Sequence, residues 1–163
     1  MIGLGANLGP RVDTIVAALD RLAATAGVTL GDVSDVYESE PVGPPQPWYL
    51  NLAARVETAL EPDALWAHLL RIETELGRVR SERWGPRSID LDILWCNDPA
   101  ARGTAVTVPH PELEQRWFAL APLLEVAPEA RARYAPVLAA IGGAPRAGSA
   151  LRSLAISPRI TES

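Results

Sequence analysis

Two aspartates, Asp90 and Asp92, are separated by one residue, and this spacing is the clearest sign in the sequence of a site that could bind a metal ion. They lie in the apolar run 89–96, which predicts a strand, and alternation along a strand puts both carboxylates on one face with Cα atoms about 6.5–7 Å apart. Neighbouring carboxylates repel unless a cation lies between them, and Mg²⁺ binds such pairs while keeping water and phosphate oxygens in its shell. The spacing therefore predicts a magnesium site, although the same pair also occurs on the solvated face of an ordinary strand.

An arginine-rich segment lies directly upstream of this acidic strand. It contains Arg78, Arg80, Arg83 and Arg87. A guanidinium group matches the geometry of phosphate oxygens, so a cationic segment beside an acidic strand end is what a metal–triphosphate complex needs. All 15 basic residues are Arg and none is Lys. The absence of Lys excludes a P-loop and Schiff-base chemistry, both of which require a lysine amine.

Aromatic and amide side chains provide a second group of candidates. Tyr49 and Asn51 share one face of a predicted strand, which suits a flat heterocycle with hydrogen-bonding groups on its edge. Trp84 lies inside the arginine segment and either covers a bound ring or anchors the segment to the body. His110 is a candidate phosphate or metal contact, whereas His68 falls within a predicted helix and is interpreted as structural.

The elements that must position these residues follow from periodicity. Apolar spacings of three and four predict a helix after Pro10 and a second helix after Pro62, each ended by a glycine. Residues 1–9 are predicted to form a short strand that runs into a tight turn. Further strands are predicted at 28–38, 50–57 and 89–96, with a bulge at 31–32, and the proline-rich segment 39–48 is a long loop. The order β-α-β-β-α-β predicts an α+β, ferredoxin-like sandwich with both helices on one face of an antiparallel sheet. Short helices are expected near 111–115, 118–125 and 134–141.

Length and composition limit the remaining possibilities. The 163 residues are predicted to form a single domain, 1–163, with a weakly ordered tail from about residue 142. There is no apolar run of about 18 residues, so no membrane association is expected. A lone cysteine, Cys96, is interpreted as a core residue, and the chain is predicted to be cytoplasmic. The net charge of −5 argues against nucleic acid as a partner.

The most specific motif is the string Arg83-Trp84-Gly85-Pro86-Arg87 followed by Asp90-Leu91-Asp92. Other segments with distinctive residue patterns are Gly5-Ala6-Asn7-Leu8-Gly9, 37–43, Tyr49-Leu50-Asn51, 77–80, 108–111 and Arg116-Trp117-Phe118. Together these segments, over about residues 2–128, resemble the 6-hydroxymethyl-7,8-dihydropterin pyrophosphokinase family of folate biosynthesis.

The resemblance implies an enzyme that transfers diphosphate from ATP to the hydroxymethyl group of 6-hydroxymethyl-7,8-dihydropterin and releases AMP. It also implies two Mg²⁺ ions bound by Asp90 and Asp92. The residues implied to contact the pterin are Ser39, Val42, Tyr49, Asn51, Trp84 and Phe118, with the ring stacked between Tyr49 and Phe118. The residues implied to contact ATP are Glu73, Arg78, Arg80, Trp84, Arg87, Ile93, Thr107, His110 and Arg116. Catalytic roles are implied for Arg80, Arg87, Asp90 and Asp92.

Four positions depart from the family pattern. Glu40 stands where a proline is common, Ala6 replaces a serine, Leu70 occupies a position that can be a polar contact to ATP, and Pro111 stands where an aromatic residue can occur. These departures affect individual contacts and not the expected reaction. The resemblance supplies no role for residues after about 128. As for the oligomeric state, a monomer is expected.

Two other functions fit the same predicted topology. A non-catalytic ferredoxin-like module that binds a nucleotide as a regulator needs no acidic pair beside an arginine segment. An RNA-binding sheet needs stacking aromatics and a basic face, whereas this chain has one Phe and a pI near 5.0. The diphosphotransferase is therefore the primary prediction, with the regulatory module as the alternative.

Overall fold

The computed structural model describes residues 1–79 and 85–142 and is built on an antiparallel sheet. The strand order is β2-β4-β1-β5, and β3 also pairs with β4. The strands are β1 (Ile2–Ala6), β2 (Val28–Val33), β3 (Tyr37–Ser39), β4 (Tyr49–Thr58) and β5 (Asp90–Ile93). The predicted strand 28–38 is therefore two strands. Residues 34–36 separate them, and a register shift between Leu30 and Val33, within β2, marks the predicted bulge.

Two helices, α1 (Arg11–Ala23) and α2 (Pro62–Glu75), pack on one face of the sheet. Their apolar stripes bury residues that include Leu22 and Leu69, both 0% exposed. Burying a leucine side chain stabilises a fold by roughly 1.5–3 kcal/mol, so the spacing that predicted these helices is also what attaches them to the sheet. The predicted ferredoxin-like α+β sandwich is confirmed.

The opposite face of the sheet is partly covered by two further helices. These are α3 (Trp117–Val126) and α4 (Arg131–Ile141), and 3-10 turns lie at Leu113–Gln115 and Pro128–Ala130. They form a second core with Ala53 of β4 and Leu94, which follows β5. The sequence predicted helices in these regions but not the face they cover. In the described part of the chain no helix is both long and apolar enough to cross a membrane.

The loop after β5 is attached to the start of α2 by a single carboxylate. Asp63 accepts hydrogen bonds from the backbone N–H groups of Thr104 (2.8 Å), Ala105 (3.0 Å) and Val106 (3.2 Å), and from the Thr104 hydroxyl (2.7 Å). A Cβ added at Gly103 would lie 2.5 Å from Asp63 Oδ1, so a larger residue there would displace this contact. These hydrogen bonds, chiefly those from Thr104, lower the pKa of Asp63.

We expect the Asp63→Ala variant to lose amide protection at 104–106 in hydrogen exchange measured by mass spectrometry, while the sheet amides keep theirs. In the unmodified chain a lowered pKa means that the contact is fully present above the ordinary aspartate pKa of about 4 and is lost as the pH falls through the lowered value. Protection at 104–106 should therefore persist slightly below pH 4. Asp13→Ala, in the first turn of α1, is the control, and equal loss in both variants would contradict the assignment.

Candidate active site

The open end of the sheet on the α3 side holds the candidate site. The register places Gly5 of β1 directly between Asn51 of β4 and Asp90 of β5, and it places Gly3 opposite Asp92. Because residue 5 is glycine, no β1 side chain stands between Asn51 and Asp90, whereas the Leu94 side chain lies over Gly3, 3.0 Å from where a Cβ would be. Gly5 therefore provides a flat floor on which a planar ligand can lie.

Asp90 and Asp92 project from the same face of β5, as the alternation predicted, whereas Leu91 and Ile93 are buried in the core under α1 and α2. Asp90 accepts hydrogen bonds from Arg78 on Oδ1 and from Arg87 on Oδ2, both at 2.8 Å. Asp92 makes no comparably short ion pair with the described residues, and its Oδ2 lies 4.0 Å from His110 Nε2. Burial and the charge of Asp90 raise the pKa of Asp92 to about 7.

A buried carboxylate on α2 holds this strand in place. Glu73 is 3% exposed, accepts a hydrogen bond from the Leu91 N–H at 2.7 Å and pairs with Arg78, which also contacts Asp90. Burial raises the pKa of Glu73, and the Leu91 N–H and the Arg78 guanidinium, both at Oε1, offset part of the cost of burying this carboxylate. Glu73 therefore links α2 to the backbone of β5 and to the arginine that orients Asp90.

Two cavities meet at the acidic pair. The first has about 890 Å³ of empty space and the second about 800 Å³, and both are lined by Arg87, Asp90 and Asp92. The first is also lined by Gly5, Ser39, Glu40, Val42, Tyr49, Asn51, His110, Arg116 and Phe118. The second is also lined by Trp66, Leu70, Glu73, Arg78 and Val79. A ligand in either cavity therefore reaches the same two carboxylates and the same guanidinium group.

The first cavity contains the predicted residues for a flat ring. Asn51 is 8% exposed, and its Nδ2 donates hydrogen bonds to Ser39 Oγ (2.8 Å) and to the Tyr37 carbonyl oxygen (3.5 Å). These bonds orient the amide and leave Oδ1 available to accept a hydrogen bond from a ligand. A Cβ added at Gly5 would lie 3.2 Å from that Oδ1, so the glycine also keeps the approach to it open.

His110 and Arg116 lie on the α3 side of the same cavity. His110 Nδ1 accepts a hydrogen bond from the Glu112 N–H at 3.1 Å, so in the neutral ring the proton is on Nε2, which faces Asp92. Burial and the nearby Arg116 lower the pKa of His110. Arg116 pairs with Glu112, and its positive charge lowers the pKa of Asp92, partly offsetting the effect of burial. Both side chains can therefore donate hydrogen bonds to a phosphate group bound beside the acidic pair.

Other predicted residues have different positions. The Ile93 side chain is 5% exposed and packs in the core. The Leu91 N–H, two residues earlier, faces the edge of β5 that β1 does not cover, and alternation turns the Ile93 N–H to the same edge, where it can contact a ligand. Thr107 is exposed and lines neither cavity. Arg80, Arg83 and Trp84 lie outside the described residues.

Several cavity-lining residues were not identified as site residues from the sequence, among them Gly3, Gly5 and Trp66. Gly3 and Gly5 alternate within a predicted strand, and glycine inside a strand often marks a place where a ligand approaches the backbone. That pattern was a usable signal. Trp66 lies on α2 and lines the second cavity, where it provides an aromatic surface. Its helical spacing gave no sign of this, because the residues that it faces come from other parts of the chain.

The acidic pair can be tested for its fit to a divalent cation. Among the described residues no group of three or more His, Cys, Asp or Glu side chains has the arrangement of an all-protein metal site. Two carboxylates, of which Asp92 is held in a partly buried position without a close counter-ion, fit Mg²⁺, which takes one or two carboxylates and completes its shell with water and phosphate oxygens. The residues present therefore fit a metal that binds together with a phosphorylated ligand.

Comparisons with known proteins agree with this arrangement. Residues 1–128 match the family model described as 7,8-dihydro-6-hydroxymethylpterin-pyrophosphokinase. Relatives named 2-amino-4-hydroxy-6-hydroxymethyldihydropteridine pyrophosphokinase include one from Synechocystis sp., 41% identical over 79% of this chain and 66% of its own length. The relative from Haemophilus influenzae is 42% identical over 77% of this chain and 79% of its own length, and that from Bacillus subtilis is 44% identical over 77% and 75%.

Proposed function

The chain belongs to the 7,8-dihydro-6-hydroxymethylpterin-pyrophosphokinase family, and from this premise we propose that the two cavities at β5 carry the transfer of diphosphate from ATP to 6-hydroxymethyl-7,8-dihydropterin. The main support for this proposal is that both cavities are lined by Arg87, Asp90 and Asp92. Two substrates bound side by side would meet at these three side chains, where the reacting phosphate must lie.

The first cavity is proposed to hold the pterin. Tyr49 and Phe118 provide aromatic surfaces, Gly5 provides the flat floor, and Asn51 Oδ1 is available for an N–H donor on the ring edge. Ser39 orients the amide, and Val42 adds an apolar contact from the proline-rich loop. These features select a planar heterocycle with hydrogen-bond donors on one edge.

The second cavity is proposed to hold ATP. Trp66 and Leu70 provide an apolar surface for the base, and Arg78 lies beside the carboxylates. Leu70, one of the departures from the family pattern, can make an apolar contact there but no hydrogen bond. Arg80, Trp84, Thr107, His110 and Arg116 are proposed to contribute further contacts to the nucleotide and its phosphates.

Asp90 and Asp92 are proposed to bind two Mg²⁺ ions together with the phosphate oxygens of ATP. When bound, the metal neutralises charge on the polyphosphate and acts as a Lewis acid at the phosphoryl oxygens. Arg78 and Arg87 orient Asp90 through their 2.8 Å hydrogen bonds, so the carboxylate geometry is set before a ligand binds.

In the proposed reaction, the hydroxymethyl oxygen forms a bond to the β-phosphorus of ATP and its proton passes to solvent. The bond from that phosphorus to the α,β-bridging oxygen breaks, and AMP leaves with that oxygen. The residues of the chain contribute positioning and charge stabilisation, and no protein general base is assigned. Arg87 lies where negative charge accumulates on the transferred group. Asn51, Tyr49 and Phe118 hold the pterin so that its hydroxymethyl group points towards the carboxylates.

The alternative of a non-catalytic regulatory module is not favoured, because the family match and the relatives are those of an enzyme. A cytoplasmic location, a monomeric state and a single domain spanning 1–163 are retained as proposals. The proposed location rests on the single cysteine, and the proposed single domain rests on the length of 163 residues.

Product analysis tests the proposed reaction. Incubation with Mg²⁺, ATP and 6-hydroxymethyl-7,8-dihydropterin should form AMP and the pterin diphosphate in equal amounts, measured by chromatography. Replacing the acceptor with 6-methyl-7,8-dihydropterin, which lacks the hydroxyl group, should stop AMP formation, and so should chelation of the metal. Formation of ADP would identify an ordinary kinase instead, and ATP binding without turnover would favour the regulatory module.

A further inference from the structure

Asn7 is a buried polar residue that neither cavity uses. It follows β1, is 2% exposed and belongs to the segment Gly5-Ala6-Asn7-Leu8-Gly9. A buried amide is costly unless its donors and acceptor are satisfied, so its partners indicate why it is present. Those partners come from two segments far apart in sequence, and both segments border the candidate active site.

The first set of contacts is with the backbone of Arg87. The Arg87 N–H donates to Asn7 Oδ1 at 2.8 Å, and the Asn7 N–H donates to the Arg87 carbonyl oxygen at 3.2 Å. These two hydrogen bonds hold the peptide groups on both sides of the Arg87 Cα. The Arg87 guanidinium in turn donates to Asp90 Oδ2 at 2.8 Å. Asn7 therefore sets the backbone position from which this guanidinium reaches the carboxylates.

The second set of contacts is with the end of the proline-rich loop. Asn7 Nδ2 donates to Gln46 Oε1 and to the Pro47 carbonyl oxygen, both at 2.9 Å. Residues 46–47 lead directly into Tyr49, which lines the first cavity. The same amide therefore holds the loop beside the first cavity with its nitrogen and the Arg87 backbone with its oxygen.

We propose that Asn7 is a positioning residue that couples the proline-rich loop to the backbone of Arg87, so that the loop beside the first cavity and the arginine beside the carboxylates are held in one arrangement. This inference rests on the proposed function, because it assigns the two segments to the two substrates. Only an amide serves both segments. Aspartate can still accept from the Arg87 N–H, but at neutral pH it has no proton to donate to Gln46 or Pro47.

The Asn7→Asp variant tests this coupling. Loss of two neutral hydrogen bonds, each contributing about 1 kcal/mol, predicts a rise of about five- to thirtyfold in the KM for the pterin, with the KM for ATP changed less than about twofold. Hydrogen exchange should accelerate at residues 42–43, 46 and 48–49. A smaller rise in the pterin KM is expected for Gln46→Ala, which removes one side-chain partner and leaves Asn7 intact. That second variant keeps the inference testable if Asn7→Asp does not fold.

Asn97→Asp is the matched control, because it makes the same chemical change at an exposed position in the loop after β5. A purely structural role for Asn7 predicts a lower Tm with no difference between the two substrates, and that result would overturn the inference. Unchanged pterin KM and unchanged exchange in either test variant would also overturn it. If the unmodified enzyme forms no AMP, the proposed function fails, and the exchange rates still decide whether Asn7 holds the loop.

Discussion

Asp92→Asn is expected to lower kcat for AMP formation by about a thousandfold or more at saturating Mg²⁺. The substitution keeps the shape of the side chain and removes its charge, and contributions of several kcal/mol from a catalytic metal correspond to this loss. Asp92 lies where both cavities meet and has no close counter-ion among the described residues, so its charge is available to a cation. The rate is measured by quantifying AMP with each variant under identical conditions.

Two comparisons separate this effect from a loss of folding. Since Asp90 and Asp92 repel each other, removal of one charge should leave Tm unchanged or raise it. Addition of Mg²⁺ with a non-hydrolysable ATP analogue should raise the Tm of the unmodified protein more than that of Asp92→Asn. Asp20→Asn, the same change at an exposed position on α1, should behave as the unmodified protein. Substantial magnesium-dependent turnover by Asp92→Asn would refute the assignment of the site.

Asn51→Leu is expected to lower kcat/KM for the pterin by about a hundred- to a thousandfold, while the KM for ATP changes less than about twofold. A site that hydrogen-bonds the edge of a substrate loses discrimination of this size when the partner is replaced by an apolar group of similar volume. The effect should fall on the pterin because Asn51 lines only the first cavity. Steady-state kinetics with each substrate varied in turn provides the measurement.

Asn97→Leu is the matched control for Asn51→Leu, because it replaces an exposed asparagine by the same apolar side chain. It should leave both KM values unchanged. If the Asn51→Leu variant lost affinity for ATP and the pterin equally, the division of the two substrates between the two cavities would be wrong. Circular dichroism would show whether Asn51→Leu keeps its secondary structure.

The electrostatic arrangement at β5 explains why two aspartates in one strand have different properties. Asp90 takes the hydrogen bonds from both Arg78 and Arg87, so its charge is largely compensated. Asp92 makes no such pair with the residues that the structure describes, and its pKa is raised. A divalent cation would therefore relieve the repulsion between the two carboxylates and draw phosphate oxygens towards Arg87.

Local patterns predicted most of the elements that form the site. The apolar spacing of α2 and the alternation along β4 and β5 depend on residues close in sequence. The structure has α2 and β4 near the predicted bounds, whereas β5 covers only Asp90–Ile93 of the predicted strand 89–96. Alternation also predicted correctly that Asp90 and Asp92 share a face. It did not predict which arginines compensate Asp90, because Arg78 reaches it from the end of α2 and Arg87 from the following segment.

By itself the sequence determined the ferredoxin-like order of elements, the acidic pair on one strand face and the family, because each depends on short-range periodicity or on a contiguous motif. Tertiary structure alone decided that α3 covers part of the second sheet face, that Gly5 lies between Asn51 and Asp90, and that Asn7 joins two distant segments. The physical reason is that strand register and buried hydrogen bonds are set by packing the whole chain, and no local pattern records which distant residue will fill a given position.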